Sequence, residues 1–148
     1  MYKIYHGDIT PGPNTIFVFG SNTDGRHGAG AAKVAVELFD AINGVSEGLQ
    51  GHAYGLPTTE LNKYNQEFRL QQSLPAERII LYIKRLYTRC LLHPELEFKV
   101  AYRSKPDEVT LCGYSGEQLM TFFKAAKEKF DYPDNLWFSE EWAGSGLL

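Results

Sequence analysis

The chain has 148 residues and a net charge of −3, with acidic and basic side chains interspersed. That length suits one domain able to bury about two-thirds of its unfolded surface, and the charge leaves no basic field to hold duplex DNA or RNA by phosphate neutralisation. The start, MYKIYHGDIT, lacks the apolar core of a signal peptide and no run reaches the length of a membrane span, so a cytoplasmic protein without membrane contact is expected.

Tyr2 to His6 alternates as a short strand with one protected face. It leads into Gly7-Asp8, which by itself reads as a turn, and Thr10-Pro11-Gly12-Pro13-Asn14 can join neither a helix nor a central strand. Ile16-Phe17-Val18-Phe19 is a continuous β-branched and aromatic run, the pattern of a strand buried on both faces. Gly20 to Gly30 follows, with four glycines and a row of small polar residues, and then a helix with Ala31, Val34, Ala35, Leu38 and Phe39 expected on its apolar face.

A glycine-rich turn between the carboxyl end of a strand and a helix N-terminus exposes unpaired N–H donors at the positive end of the helix dipole, which favours phosphate. Two common nucleotide motifs are nevertheless missing. Gly25 and Gly30 have the spacing of a Walker A loop, but Ala31 and Ala32 replace its lysine and hydroxyl; Gly28-Ala29-Gly30 is followed by Lys33 where a dinucleotide fingerprint needs glycine. Asn22 directly follows the buried strand, where open α/β sheets place side chains that contact ligands.

Asn43-Gly44 ends the first helix, Gly48 to Gly51 reads as a glycine-rich connection, and His52 to Leu56 as a short strand stopped by Pro57. Leu61 to Ser73 suggests an irregular loop over the site. Pro75 fits the first turn of a helix whose face is Ile79, Ile83, Leu86 and Cys90. Glu97 to Tyr102 alternates as a strand, and a polar turn over Arg103 to Glu108 leads to Val109 to Tyr114. Ser115 and Gln118 have the spacing of a capping box for a helix with Leu119, Phe122, Phe123, Ala126 and Phe130 on its apolar face. Asn135 to Phe138 reads as the last strand, and a Gly-Ser-Gly tail is expected to be loose. Cys90 and Cys112 have neither metal-type spacing nor a CxxC arrangement and read as core residues, so no metal or cofactor is expected. Alternating strands and helices give a three-layer α/β/α sandwich around a mixed sheet.

Gly7-Asp8-Ile9-Thr10, the run Phe17-Val18-Phe19-Gly20-Ser21-Asn22, the loop Gly25 to Ala32 and Tyr54-Gly55-Leu56-Pro57-Thr58 together resemble the macro domain, the ADP-ribose-binding module. They are closest to its small macro-like members in bacteria and phages, and the likeness covers roughly the first 60 residues. The resemblance implies ADP-ribose or a related nucleotide as ligand. Asp8 and Ile9 would take the adenine end, while Gly20, Ser21, Asn22, Gly25, Arg26, His27, Gly28, Ala29 and Gly30 would form the site around phosphate and distal ribose. Gly113 and Tyr114 would belong to a second phosphate loop, in which Thr110 stands where the family has another glycine. Ala32 replaces the aspartate that many of the family's ADP-ribosyl hydrolases carry, which leaves Asn22, Asp24 and His27 as candidates to hold or activate water near a ribose carbon. Three classes of function follow: a binding module for ADP-ribose, free or on a modified macromolecule; an ADP-ribosyl hydrolase; or a protein-interaction module with a vestigial pocket.

Overall fold

The computed structural model describes residues 1–60 and 71–148. The elements in order are β1 (Lys3–Tyr5), β2 (Thr15–Asn22), α1 (Gly30–Phe39), β3 (Gly48–Gln50), β4 (Ala53–Thr59), α2 (Ala76–Leu92), β5 (Glu97–Val100), α3 (Gly116–Ala126), β6 (Leu136–Ser139) and α4 (Glu140–Ala143). The strands form one mixed sheet in the order β1-β6-β5-β2-β4-β3, parallel throughout except for β3, which runs antiparallel to β4. The loop expected at 61–73 falls, for residues 61–70, outside the described residues.

β2 sits in the middle of this sheet because its side chains are apolar in both directions. Ile16 and Val18 join a large core with Ile79, Ile83, Leu86 and Cys90 of α2 and Leu119, Phe122 and Phe123 of α3. Phe17 and Phe19 point the other way, into a smaller core with Ala32, Ala35 and Phe39 of α1. Phe17 stacks on Phe39 with ring centroids 4.4 Å apart. Helices therefore cover both faces of the sheet, giving an α/β sandwich. Burying a side chain such as Phe39, which has no exposed surface, contributes about 1.5–3 kcal/mol.

Local signals hold well at α3, where Ser115 Oγ accepts the Gln118 N–H (3.1 Å) and Gln118 Oε1 accepts the Ser115 N–H (2.9 Å), the reciprocal bonds of a capping box. The helix stops at Ala126, however, and Glu128 turns the chain with a positive φ. Phe130 is thereby left outside the helix and 66% exposed, contrary to its expected place on the apolar face. The face of α1 is also narrower than expected. Ala32, Ala35 and Phe39 are buried, whereas Val34 and Leu38 face outward. Gly48–Gln50, read as a connection, pairs as edge strand β3. The carboxyl-terminal tail is tethered rather than loose: Leu147 and Leu148 pack against the large core, and Ser145 Oγ donates to the Trp142 carbonyl (2.6 Å).

Candidate functional site

Parallel pairing brings the carboxyl ends of β2, β4 and β5 to one edge of the sheet, the edge at which open α/β sheets bind ligands. The β2–β4 register slips there between Ser21 and Asn22, an irregularity of the kind that re-aims side chains beside active sites. Asn22 then closes the glycine-rich loop on itself. Its Nδ2 donates to the Arg26 carbonyl (2.8 Å) and its Oδ1 accepts the Arg26 N–H (2.9 Å). Gly25, at φ +69°, lies against Gly44 and Val45, where a Cβ would come within 2.6 Å of the Gly44 backbone, and the Gly44 N–H donates to Gly25 O (2.8 Å). This glycine thus serves a close approach within the chain. Gly28 and Gly30, in contrast, have open space where a Cβ would stand.

Beyond the loop lies a cleft of about 700 Å³, within the ~300–1,000 Å³ range of small-ligand sites. One wall is Arg26 with Gly28, Ala29, Gly30, Ala31 and Ala32, the floor is Gly20, Ser21, Asn22, Thr58, Thr59 and Tyr102, and the opposite wall is Ser104 with Glu108 to Cys112. The N-terminus of α1 therefore opens into the cleft. Ala29 supplies no side-chain cap and no acidic residue stands in the first turn, so the leading N–H donors and the positive end of the dipole are left for an anion. Arg26 adds the cleft's positive side chain and Glu108 its carboxylate, among the described residues.

Of the residues expected at the site, Gly20, Ser21, Asn22, Arg26, Gly28, Ala29 and Gly30 line this cleft. Ser21 spends its hydroxyl inward on the Ser46 carbonyl. His27 does not reach the cleft and is 4% exposed. Its Nε2 lies 3.0 Å from Val45 O and 3.2 Å from Gln50 Oε1, both acceptors, which places the proton on Nε2. The ring meets Phe19 edge-on at 5.0 Å, and Nδ1 is buried without a partner among the described residues. The histidine therefore pegs the loop to the body of the domain and is not among the residues that line the cleft. Asp24 is exposed on the outer side of the loop and does not line the cleft.

Asp8 and Ile9 also lie outside the cleft lining. Ile9 packs on the α1 core, and the Asp8 carboxylate, 95% exposed, accepts from Arg103 Nη1 (3.2 Å). Arg103 is clamped in turn by Glu141, Nη2 to Oε1 at 2.7 Å, and this bond holds the Glu141 carboxyl below the ordinary glutamate range. Asp8 is thus tied to the residue that directly follows Tyr102 of the cleft floor. Gly113 adopts φ +88° against the backbone of Gln71 and Gln72, and Tyr114 is buried with its hydroxyl donating to Leu74 O (2.5 Å). These two shape the wall from behind and do not line it.

Thr58, which the sequence offers only as the end of the Tyr54–Thr58 stretch, and Thr59, Tyr102, Ser104 and Glu108 join the cleft without having been expected there. The signal available for the first three was their place at or just beyond the carboxyl ends of β4 and β5. The Tyr102 phenol is a neutral hydroxyl at physiological pH even at its ordinary pKa, and burial raises that pKa further. The cleft is chemically suited to hold an anion at one wall and polar, uncharged groups on its floor. No helix among the described residues is long and apolar enough to cross a membrane. Comparisons with protein-family models, with curated proteins and with solved structures give no match.

Proposed function

We propose that the chain binds ADP-ribose or a related nucleotide-diphosphate sugar, free or attached to a modified macromolecule. One observation carries this reading: the uncapped, acid-free N-terminus of α1 opens with Arg26 onto a cleft of about 700 Å³. Such a terminus favours phosphate through its free N–H groups and its dipole. The glycine-rich loop that leads to it is one of the four stretches that together carry the macro-domain resemblance. The adenine would extend toward Asp8, displacing or sharing its contact with Arg103.

Recognition asks less of this cleft than hydrolysis does. Neither Asp24 nor His27 lines it, so the water-activating roles considered for them have no support. Glu108 is the observation that favours a second reading as an ADP-ribosyl hydrolase, since a carboxylate on the wall could take a proton from water. The test is thermal shift with ADP-ribose, followed by an assay for ADP-ribose released from a modified peptide. Stabilisation of about 2.7 kcal/mol is expected at a hundredfold excess over Kd. No shift at millimolar ligand sinks the binding proposal, and release abolished in Glu108→Gln would select the hydrolase.

A further inference from the structure

We infer that the Thr58–Tyr102 hydroxyl pair on the floor of the cleft reads hydroxyl groups of the ligand, so that the smallest good ligand is a phosphorylated sugar and not a simple phosphate ester. The inference rests on the proposed phosphate-ligand reading and assigns the sugar contact to two residues.

The pair is held in place from behind by its neighbours in the fold. Thr58 is 3% exposed, and its Oγ1 lies 3.1 Å from the Tyr102 hydroxyl. Gly20, at the end of β2, makes the space the phenol occupies; any Cβ there would run into the Tyr102 hydroxyl and ring. The Tyr102 ring lies parallel to the indole of Trp142, 4° between planes and 5.7 Å between centroids. Trp142 is fully buried, and its Nε1–H donates to Ser104 O (2.8 Å). The phenol is thus fixed in direction by three elements, β2, β4 and α4.

Two hydroxyls bonded to each other use one proton between them. Among the described residues neither hydroxyl has a further partner, so the second proton and the remaining lone pairs are left over, and both residues line the cleft. A sugar hydroxyl, itself donor and acceptor, matches that set. An alkyl chain in the same place would cover the leftover groups without replacing their hydrogen bonds to water, and sites built to bond a ligand hydroxyl reject analogues that lack it. If the pair only filled space, phenylalanine and valine would serve equally well at these positions.

The test compares ribose 5-phosphate with n-butyl phosphate by calorimetry, for the wild type, Tyr102→Phe and Thr58→Val, with ADP-ribose as control and melting temperature as the check on folding. The wild type should prefer the sugar phosphate by about tenfold or more. Each variant should lose about five- to tenfold of that preference while binding butyl phosphate within about twofold of wild type, as expected for one lost hydrogen bond. Equal binding of the two esters by the wild type overturns the inference, as does an unchanged preference in both variants, or no binding of ribose 5-phosphate by a protein that binds ADP-ribose. Where a variant does not fold, the wild-type ratio alone decides. Failure of the wild type to bind ADP-ribose or either ester instead removes the phosphate reading itself.

Discussion

Asn22→Ala removes both halves of the clasp that closes the glycine-rich loop, the donation to Arg26 O at 2.8 Å and the acceptance from Arg26 N–H at 2.9 Å. A neutral intramolecular hydrogen bond contributes about 0.5–1.5 kcal/mol net. Arg26 is exposed, so water can satisfy its freed backbone groups and the lower half of that range applies to each bond. The pair then contributes about 1–2 kcal/mol, which for a chain of this length lowers Tm by roughly 3–6 °C. Amide exchange over residues 24–29 should quicken in the same variant, because the loop loses its closure while the sheet keeps its own bonds. A loop that has to be ordered by its ligand binds more weakly, and ADP-ribose affinity should fall by about tenfold. Asn22→Asp separates the two effects: its carboxylate still accepts the Arg26 N–H but cannot donate to the carbonyl, and it brings negative charge to the wall proposed for phosphate. It should keep more stability than the alanine variant and bind ADP-ribose less well. A Tm within about 1 °C of wild type with unchanged exchange in Asn22→Ala would refute the clasp, and tighter binding by Asn22→Asp than by Asn22→Ala would refute an anion at this wall.

Gly25→Ala should cost about 2–4 kcal/mol in chemical denaturation, since it adds a positive-φ penalty to a collision with the Gly44 backbone; Gly28→Ala, which meets open space, should stay within about 1 kcal/mol of wild type. Leu86→Ala, at a position with no exposed surface in the large core, should cost about 2–5 kcal/mol by the same measurement. Burial raises the phenol pKa values of Tyr5, Tyr54, Tyr87 and Tyr132 above their ordinary value. Such groups favour the folded state below the unfolded phenol pKa near 10 and lose that contribution as pH rises toward the folded value, because the unfolded chain ionises first. Denaturation midpoints should therefore fall steeply above about pH 10, and a spectrophotometric titration showing all nine tyrosines ionising near pH 10 in the folded protein would contradict their burial. In Arg103→Gln the Glu141 carboxyl, followed by NMR, should titrate higher than in wild type, back in the ordinary glutamate range; an unmoved midpoint would show that Arg103 does not hold it.

What the sequence by itself determined are features whose cause lies within a few residues. Ile16 to Phe19 is apolar without alternation, which only a strand covered on both faces can bury, and it is the sheet's centre. Ser115 and Gln118 cap α3 because both bonds close within three residues, and Ile79, Ile83, Leu86 and Cys90 line α2 because one helical period places them together. The glycine-rich loop likewise announces a close backbone approach. The tertiary structure decided what approaches what. Gly25 meets Gly44 while Gly28 and Gly30 are left to the cleft, a division that depends on the 43–46 segment and not on the loop's own residues. His27 turns inward because Val45 and Gln50 offer acceptors behind it, and nothing in a loop's sequence fixes which way a side chain points, as the two-residue period fixes it in a strand. Thr58 and Tyr102 stand 44 residues apart and meet only because β4 and β5 flank β2. Strand order is settled by how the helices between strands pack, so the floor of the cleft belongs to the fold as a whole and not to any local stretch of the chain.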